Sequence, residues 1–361
     1  MIRRLLRLGI LGVGLAGCGR GDHCPTVAFA AGSQHSVAAA VAESLAVTHP
    51  SAVRVCYRLT AQPRYEQIDQ PDAEITLAEQ LAADPSIVTV VGHLRSRGSL
   101  AVAPIYARVG VPQIVPASTS RLLRVAGPWT FVLAPTDSAQ AVFLAAAVDS
   151  IHAHRALLFY SGEPYGEGLV EATRMELFRR GITIADEVRL GMGTDVATLA
   201  EAAIRRRPVD VVVLMVDVSQ AAEIARTIVP IRPGLRILSA DGADYPTGLR
   251  YYGGAAAESL WIVSLWRPDM TDSAVRRYVE RFRQLAGRDP TPTEALGQDA
   301  MLFAEAAIEA VGPDRSAIRT WLAGPGGAVS PAGHVTTATL HGGPPPIFYF
   351  TRIGPPPPAP H

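Results

Sequence analysis

The chain has 361 residues, with 33 basic and 33 acidic side chains and a hydrophobic fraction of 48%. That length can bury two separate cores, and a formal net charge of zero excludes the broad basic surface that draws a protein to nucleic acid. Enzyme signatures are missing too. Leu94 stands where a G-x-S-x-G turn around Ser96 needs its first glycine, the nine histidines show no H-E-x-x-H or other paired metal spacing, and no G-x-x-x-x-G-K-[ST] run occurs. The expectation is a protein that is not an enzyme and uses neither metal nor cofactor.

Residues 1–18 place arginines ahead of an apolar stretch too short to span a bilayer and end in Leu15-Ala16-Gly17-Cys18. This is the layout of a secretory signal, and its end resembles a bacterial lipobox. The resemblance implies a lipidated Cys18 as first mature residue, with residues 19–24 as a tether and the protein held at a membrane in the periplasm or at the cell surface. No later segment is apolar for long enough to cross a membrane. Cys24 and Cys56 then form an even pair in an exported chain, for which a disulfide and two buried thiols are both open readings.

In chain order, a small apolar strand over 27–31 ends at Gly32-Ser33-Gln34-His35, an Ala-rich helix follows over 37–47, a strand over 53–59 and a helix over 76–83. The β-branched run 88–91 stops at Gly92. Ser96 precedes a helix over 100–108 that Gly110 ends, a second buried strand occupies 111–115, and Pro116-Ala117-Ser118-Thr119-Ser120 closes it. Parallel strands joined by a crossover helix put both hydroxyl-rich loops at one carboxyl edge of the sheet, where free hydroxyls and backbone N–H groups suit a small carboxylate. Two roles stay open for these residues: Ser96 as a helix cap and Thr119 as a turn residue, or both as ligand contacts.

After a strand over 129–133, Pro135-Thr136-Asp137-Ser138-Ala139-Gln140 opens a new helix with its cap and the βα pattern begins again. Strands are predicted over 156–160, 184–188, 209–216, 237–239 and 260–265, a polar loop over 161–168, and helices over 169–180, 198–206 and 219–229. Three amphipathic helices over 272–285, 294–311 and 318–322 precede strands over 335–340 and 347–352, and residues 354–361 read as a Pro-rich disordered tail.

The blocks GHLRSRGS at 92–99 and PIYARVGVPQIVPASTS at 104–120 resemble the segment that binds the ligand α-carboxylate in the leucine/isoleucine/valine-binding family of type I periplasmic binding proteins. The resemblance runs from about residue 27 to 353 and is dense only in short blocks. It implies an α/β fold of two lobes, each a mostly parallel sheet flanked by helices. Lobe 1 is expected from 25–136 and 266–342, lobe 2 from 137–265 and 343–353, with three hinge crossings near Thr136, Leu265 and Gly342 that let the lobes close over a ligand.

By the same resemblance Ser96, Ala117 and Thr119 hold the ligand carboxylate. Tyr165, in YSGEPYGEG at 160–168, matches an aromatic facing the cleft, and Asp241, in SADG at 239–242, matches the acidic residue that takes the ligand ammonium. Each also has a plainer reading, Tyr165 as packing on its own turn and Asp241 as a strand-end cap. Two departures matter. Asp217 stands where the branched-chain binders carry a tyrosine, and a second carboxylate near Asp241 favours a ligand more polar than leucine. The short first loop at 32–35 lacks a lid aromatic. Arg95 and Arg97 flank Ser96, and Gln298 and Asp299 read as helix-interior contacts. The function expected is a lipid-anchored solute-binding protein of an ABC importer that delivers an amino acid or similar zwitterion or amide to a permease. A ligand sensor for a signalling partner and a scaffold without a ligand are the alternatives.

Overall fold

The computed structural model describes residues 24–30, 55–60, 71–269, 273–324 and 348–352. Cys18 and the signal, the expected loop at 32–35, the helix at 37–47, the strand at 335–340 and the tail at 354–361 lie outside the described residues.

Two sheets built on one plan make up the fold. The first contains β1 (Thr26–Ala30), β2 (Cys56–Thr60), β3 (Ile87–Gly92), β4 (Gln113–Val115) and β5 (Thr130–Val132), in the order β2-β1-β3-β4-β5 and wholly parallel. Between these strands run α1 (Pro71–Ala83) and α2 (Ser96–Val109). Their Leu77, Leu81, Val102 and Tyr106 cover one face of the sheet, against Ala28, Ala30 and Val90. Cys24 and Cys56 are joined by a disulfide with Cα atoms 5.8 Å apart.

The second sheet contains β6 (Arg155–Ser161), β7 (Thr183–Leu190), β8 (Val211–Met215), β9 (Arg236–Ser239) and β10 (Leu260–Ser264), interleaved with α3 (Asp137–Ser150), α4 (Pro164–Arg179), α5 (Val196–Arg206), α6 (Val218–Ile231) and α7 (Pro246–Gly253). Counted from its own first strand, its parallel part has the same 2-1-3-4-5 order as the first sheet. Every residue of β8, VVVLM, is buried, as expected of a central strand covered by helices on both faces. The chain then forms α8 (Ser273–Ala286), α9 (Pro292–Val311) and α10 (Arg315–Ala323). Helix α9 returns to the first sheet, where Met301 and Ile308 share a core with Phe29, Val91 and Ile114. Finally β11 (Tyr349–Arg352) pairs antiparallel with β10. The two-lobed α/β architecture expected from the sequence is the one observed.

Two local expectations change. The polar loop read over 161–168 is mostly helix, since α4 begins at Pro164. Proline presets a helical φ, and at the first position its missing N–H removes no bond. Helix α7, YPTGLRYYG from its cap onward, was passed over in the sequence because eight residues with two glycines have little helix propensity. Packing of Leu249 and Tyr252 against the core beside α6 holds it instead.

The switch point of the first sheet lies between β1 and β3, where successive connections leave in opposite directions and open a crevice. Gly92 ends β3 there with φ +133°, and a Cβ on it would stand 2.5 Å from the Ala30 carbonyl oxygen on β1. Gly92→Ala therefore meets both a backbone conformation reserved for glycine and a rigid neighbour. Thermal unfolding should show a loss on the order of 1–3 kcal/mol, and an unchanged melting temperature would show that the strand end is free to move.

Candidate functional site

The first wall is assembled from the loops after β3 and β4. Arg95 is the N-cap of α2, with extended φ −110° and ψ 148° and no side-chain capping bond, so Ser96 is the first helical residue and its hydroxyl does not serve as the cap. Ser96 is 4% exposed and Thr119 2%. Their loops are clipped together from behind: the Ser99 hydroxyl donates to the His93 carbonyl at 2.8 Å and lies 3.0 Å from the Ser118 hydroxyl. Gln113 adds a bond from Nε2 to the Gly92 carbonyl at 3.0 Å. His93 itself is buried between Glu74 and Tyr106. Ala117 is half-buried against the core. A wall of this kind presents hydroxyls and the N-terminus of a fourteen-residue helix, a setting that favours negative charge.

The second wall is organised around Asp241, in the short turn after β9. Tyr165, on the first turn of α4, donates its hydroxyl hydrogen to Asp241 Oδ1 at 2.8 Å and accepts the Gly242 N–H at 2.9 Å. Gln140 on α3 donates from Nε2 to the same Oδ1 at 2.8 Å, while its Oε1 accepts the Asp241 N–H at 3.1 Å. Asp241 and Tyr165, proposed from sequence as two separate contacts, are thus one hydrogen-bonded unit. Gly242 is needed here, because a Cβ would meet the Val216 carbonyl oxygen at 2.7 Å and the Tyr165 ring at 2.8 Å.

Asp137 stands where the two walls meet. Thr136 caps α3, with its hydroxyl accepting the Ala139 N–H. The next residue, Asp137, donates its N–H to the Thr119 carbonyl at 2.9 Å. Its carboxyl group is wholly buried and neither oxygen is in a well-formed hydrogen bond, the Thr119 hydroxyl being a donor close by. The Thr119 hydroxyl, equally without an aligned partner, lies near enough to favour the charged form. Two ion pairs bridge the walls nearer the rim, Arg97 to Glu163 at 3.0 Å and Arg121 to Glu171 at 2.6 Å.

Three carboxyl groups consequently share a confined region. Burial pushes Asp137 up to about 7; the Thr119 hydroxyl and Arg121 offset part of this and the charge of Asp241 adds to it. Burial also raises Asp241, against the bonds from Gln140 and Tyr165. Asp244 is pushed up to about 7 by burial and by Asp241, with Ser264 opposing. Asp241 and Asp244 keep part of their surface accessible, while their heads are crowded by protein atoms that displace water. Among the described residues no group of three or more His, Cys, Asp or Glu side chains is placed to hold a metal ion.

Asp217, expected as the second carboxylate of the pocket, is also the N-cap of α6. Its Oδ1 accepts the N–H groups of Ser219 and Gln220 at 2.8 and 3.0 Å and the Ser219 hydroxyl at 2.6 Å. Orphan donors at a helix start attract an aspartate one residue ahead of it, and this occupies Oδ1. Among the described residues, Asp137 and Asp244 are carboxylates electrically coupled to Asp241. Neither was singled out in the sequence. An aspartate just inside a helix start reads as compensation of the helix dipole, and only its burial without partners marks it otherwise. Gln298 and Asp299 are buried within α9, as helix-interior residues. Arg97 faces the opposite lobe through Glu163.

The fold recurs among known proteins. The family described as periplasmic binding protein matches residues 65–353. An amino acid binding protein of Pseudomonas aeruginosa is 26% identical over 115 residues, which is 31% of this chain and 31% of that protein's own length. A leucine binding protein from Thermotoga maritima superposes with a TM-score of 0.73 at 24% identity, covering 82% of this chain and 85% of that one. A solute binding protein of an ABC transporter from R. palustris, solved with benzoate, superposes with a TM-score of 0.78 at 16% identity over 92% and 93% of the two chains.

The raised carboxyl groups set a sign for the pH dependence of stability. The folded pKa values of Asp137 and Asp244 lie above their unfolded values, so between about pH 4 and 7 the folded chain binds more protons than the unfolded one. Their contribution is complete below pH 4 and is lost as pH rises through 7. Differential scanning calorimetry of the ligand-free protein should give a higher melting temperature at pH 5.5 than at pH 8, with a smaller difference in the Asp137→Asn, Asp244→Asn double variant; equal slopes would remove these two groups as the cause.

Proposed function

The chain belongs to the periplasmic binding protein family, and from that premise we propose that it is an extracytoplasmic solute-binding lipoprotein whose lobes close over an amino acid or similar small polar zwitterion or amide and present it to an ABC permease. The observation that carries this reading is the Tyr165–Gln140–Asp241 unit. A carboxylate oriented by two donors from different helices is held ready for a cation, and it lies across the cleft from a wall of hydroxyls suited to an anion. A zwitterion satisfies both walls with one molecule. A benzoate-like ligand would satisfy the first wall and leave the acidic one without a partner, at the cost of a desolvated charge. The amino acid and leucine binders among the relatives support the same choice. The acidic junction further favours a solute more polar than leucine.

Binding is testable by thermal shift, because a ligand at a hundred-fold excess over Kd stabilises the closed form by about 2.7 kcal/mol. Amino acids, their amides, short polyamines and urea-like compounds should include at least one that raises the melting temperature and fails to do so in Asp241→Asn. A response to benzoate alone, surviving Asp241→Asn, would replace the amino-compound reading with the aromatic-acid one. A gene neighbourhood holding a kinase or regulator instead of a permease and ATPase would move the delivery partner to signalling.

Two further outcomes are expected. Ser96→Ala and Thr119→Ala each remove a hydroxyl proposed to bond the ligand carboxylate, which costs roughly 1.5–3 kcal/mol, or about ten- to a hundred-fold in affinity by calorimetry, with the melting temperature of the free protein nearly unchanged. Cys18→Ala should move the protein out of the membrane fraction or leave it unprocessed; unaltered fractionation and fatty-acid labelling would remove the lipid anchor from the reading.

A further inference from the structure

The first wall rests on a buried titratable cluster that no ligand contact accounts for. His93, three residues before Ser96, has no exposed surface. Its Nδ1 meets the carboxylate of Glu74, near the start of α1, and its Nε2 lies 3.2 Å from the hydroxyl of Tyr106 on α2. Tyr106 is equally buried, and burial together with the charge of Glu74 pushes its hydroxyl well above the usual phenol range. A phenol that keeps its hydrogen donates it to Nε2, which leaves Nδ1–H as the ring's donor and Glu74 as its acceptor. Among the described residues His93 is the one basic group paired with Glu74. The same carboxylate lies against the start of α2. A Cβ at Gly98, the third residue of that helix, would stand 2.7 Å from Glu74 Cδ and 3.0 Å from Oε1, so glycine is what admits a carboxylate this close.

We propose that Glu74 is a specificity-determining residue of the first wall: it positions the Ser96 loop through His93, and its charge offsets the positive end of α2, which narrows the wall's preference for a carboxylate over a neutral carboxamide. This deepens the solute-binding reading above and rests on it. The positioning half follows the hydrogen bonds. His93 is held by Glu74 and Tyr106, its carbonyl accepts the Ser99 hydroxyl, and Ser99 in turn reaches Ser118 beside Thr119. The electrostatic half follows from what that positioning does not require. A glutamine oxygen accepts the same Nδ1–H, so a neutral residue could hold the loop as well. What glutamate adds is a negative charge, and its side chain is only 17% exposed, so water screens that charge weakly.

The consequence for recognition is a matter of charge and not of shape. A helix start carries the equivalent of about half a positive charge, and an anion placed there is favoured within the first turn. Hydroxyl and N–H donors bind an amide carbonyl in the same geometry as a carboxylate oxygen, but bonds to the charged group are roughly twice as strong. A wall made only of donors and a helix end therefore discriminates sharply against amides. Glu74, lying beside the first turn of α2, opposes the anion without touching it and leaves the donors free to serve either group.

The test uses the full chain at low salt with L-alanine, L-leucine and L-glutamine, the α-carboxamide of each, and benzoate with benzamide as probes, affinities being read by calorimetry directly or by displacement. Glu74→Gln should melt close to the parent, bind the acids about three- to ten-fold more tightly and widen the preference for acid over amide by the same factor. That gain should shrink at high salt. Glu74→Ala, which removes the acceptor of His93, should lower the melting temperature and weaken acids and amides alike. A purely positional glutamate predicts no change in preference for either variant. Unchanged acid affinity and preference in Glu74→Gln overturn the inference, and acid binding by the parent then leaves the solute-binding reading standing. An equal gain for acid and amide, or a Glu74→Gln chain that fails to fold, overturns it in the same way. If benzoate alone binds, the amino-acid reading falls, and a wider benzoate preference in Glu74→Gln would still uphold the role of Glu74. Binding of no probe by either protein overturns both.

Discussion

A parallel strand delivers the loop that follows it to the carboxyl end of its sheet, and this chain applies that constraint twice with the same strand order. Ser96, Thr119, Tyr165 and Asp241 come from four such loops or the helix starts beyond them, separated by as many as 145 residues in sequence. Tyr165 and Asp241 are hydrogen-bonded, and Thr119 is linked to them through Asp137, because the ends of the two sheets adjoin there. Each sheet in turn depends on strands apolar on both faces, such as β3 and β8, that allow helices to cover them fully. The site is therefore a consequence of topology before it is a consequence of any single contact.

Within that frame the two walls use opposite electrostatics. The first offers hydroxyls and the positive end of α2 and contains no acidic side chain in its loops. The second gathers Asp137, Asp241 and Asp244 with a tyrosine and a glutamine that orient one of them. Such a pair of walls would hold a dipolar solute more strongly than either alone. The rim pairs Arg97–Glu163 and Arg121–Glu171 join the lobes without entering this arrangement. Each is partly exposed, so each contributes on the order of 0–1 kcal/mol and weakens with salt.

Asp137 lies at the junction of the two sheets. It begins the helix that follows the chain's passage from the first sheet to the second, and its backbone N–H is bonded to Thr119 on the far side. A group at that junction feels a charge added to either wall.

Much of this was legible in the sequence. Period and punctuation marked the βα units, Gly110 and Gly181 marked helix ends, and the blocks around Ser96, Thr119, Tyr165 and Asp241 were recognisable as strand-end segments because local signals suffice for such features. The start of α4 at Pro164 and the existence of α7 were not, since neighbouring chain stabilises them more than their own propensity does. Asp217 and Asp137 show the same limit from two sides. Both are aspartates at helix starts, and in sequence they are indistinguishable in kind. Only the tertiary structure decides that Asp217 places Oδ1 on the N–H groups of Ser219 and Gln220, while Asp137 is buried beside Thr119 and Asp241 with neither oxygen in a well-formed hydrogen bond. Sequence determined which residues could ionise and which segments would form strands; burial, which depends on elements distant along the chain, decided which of those ionisable groups would be left without a partner.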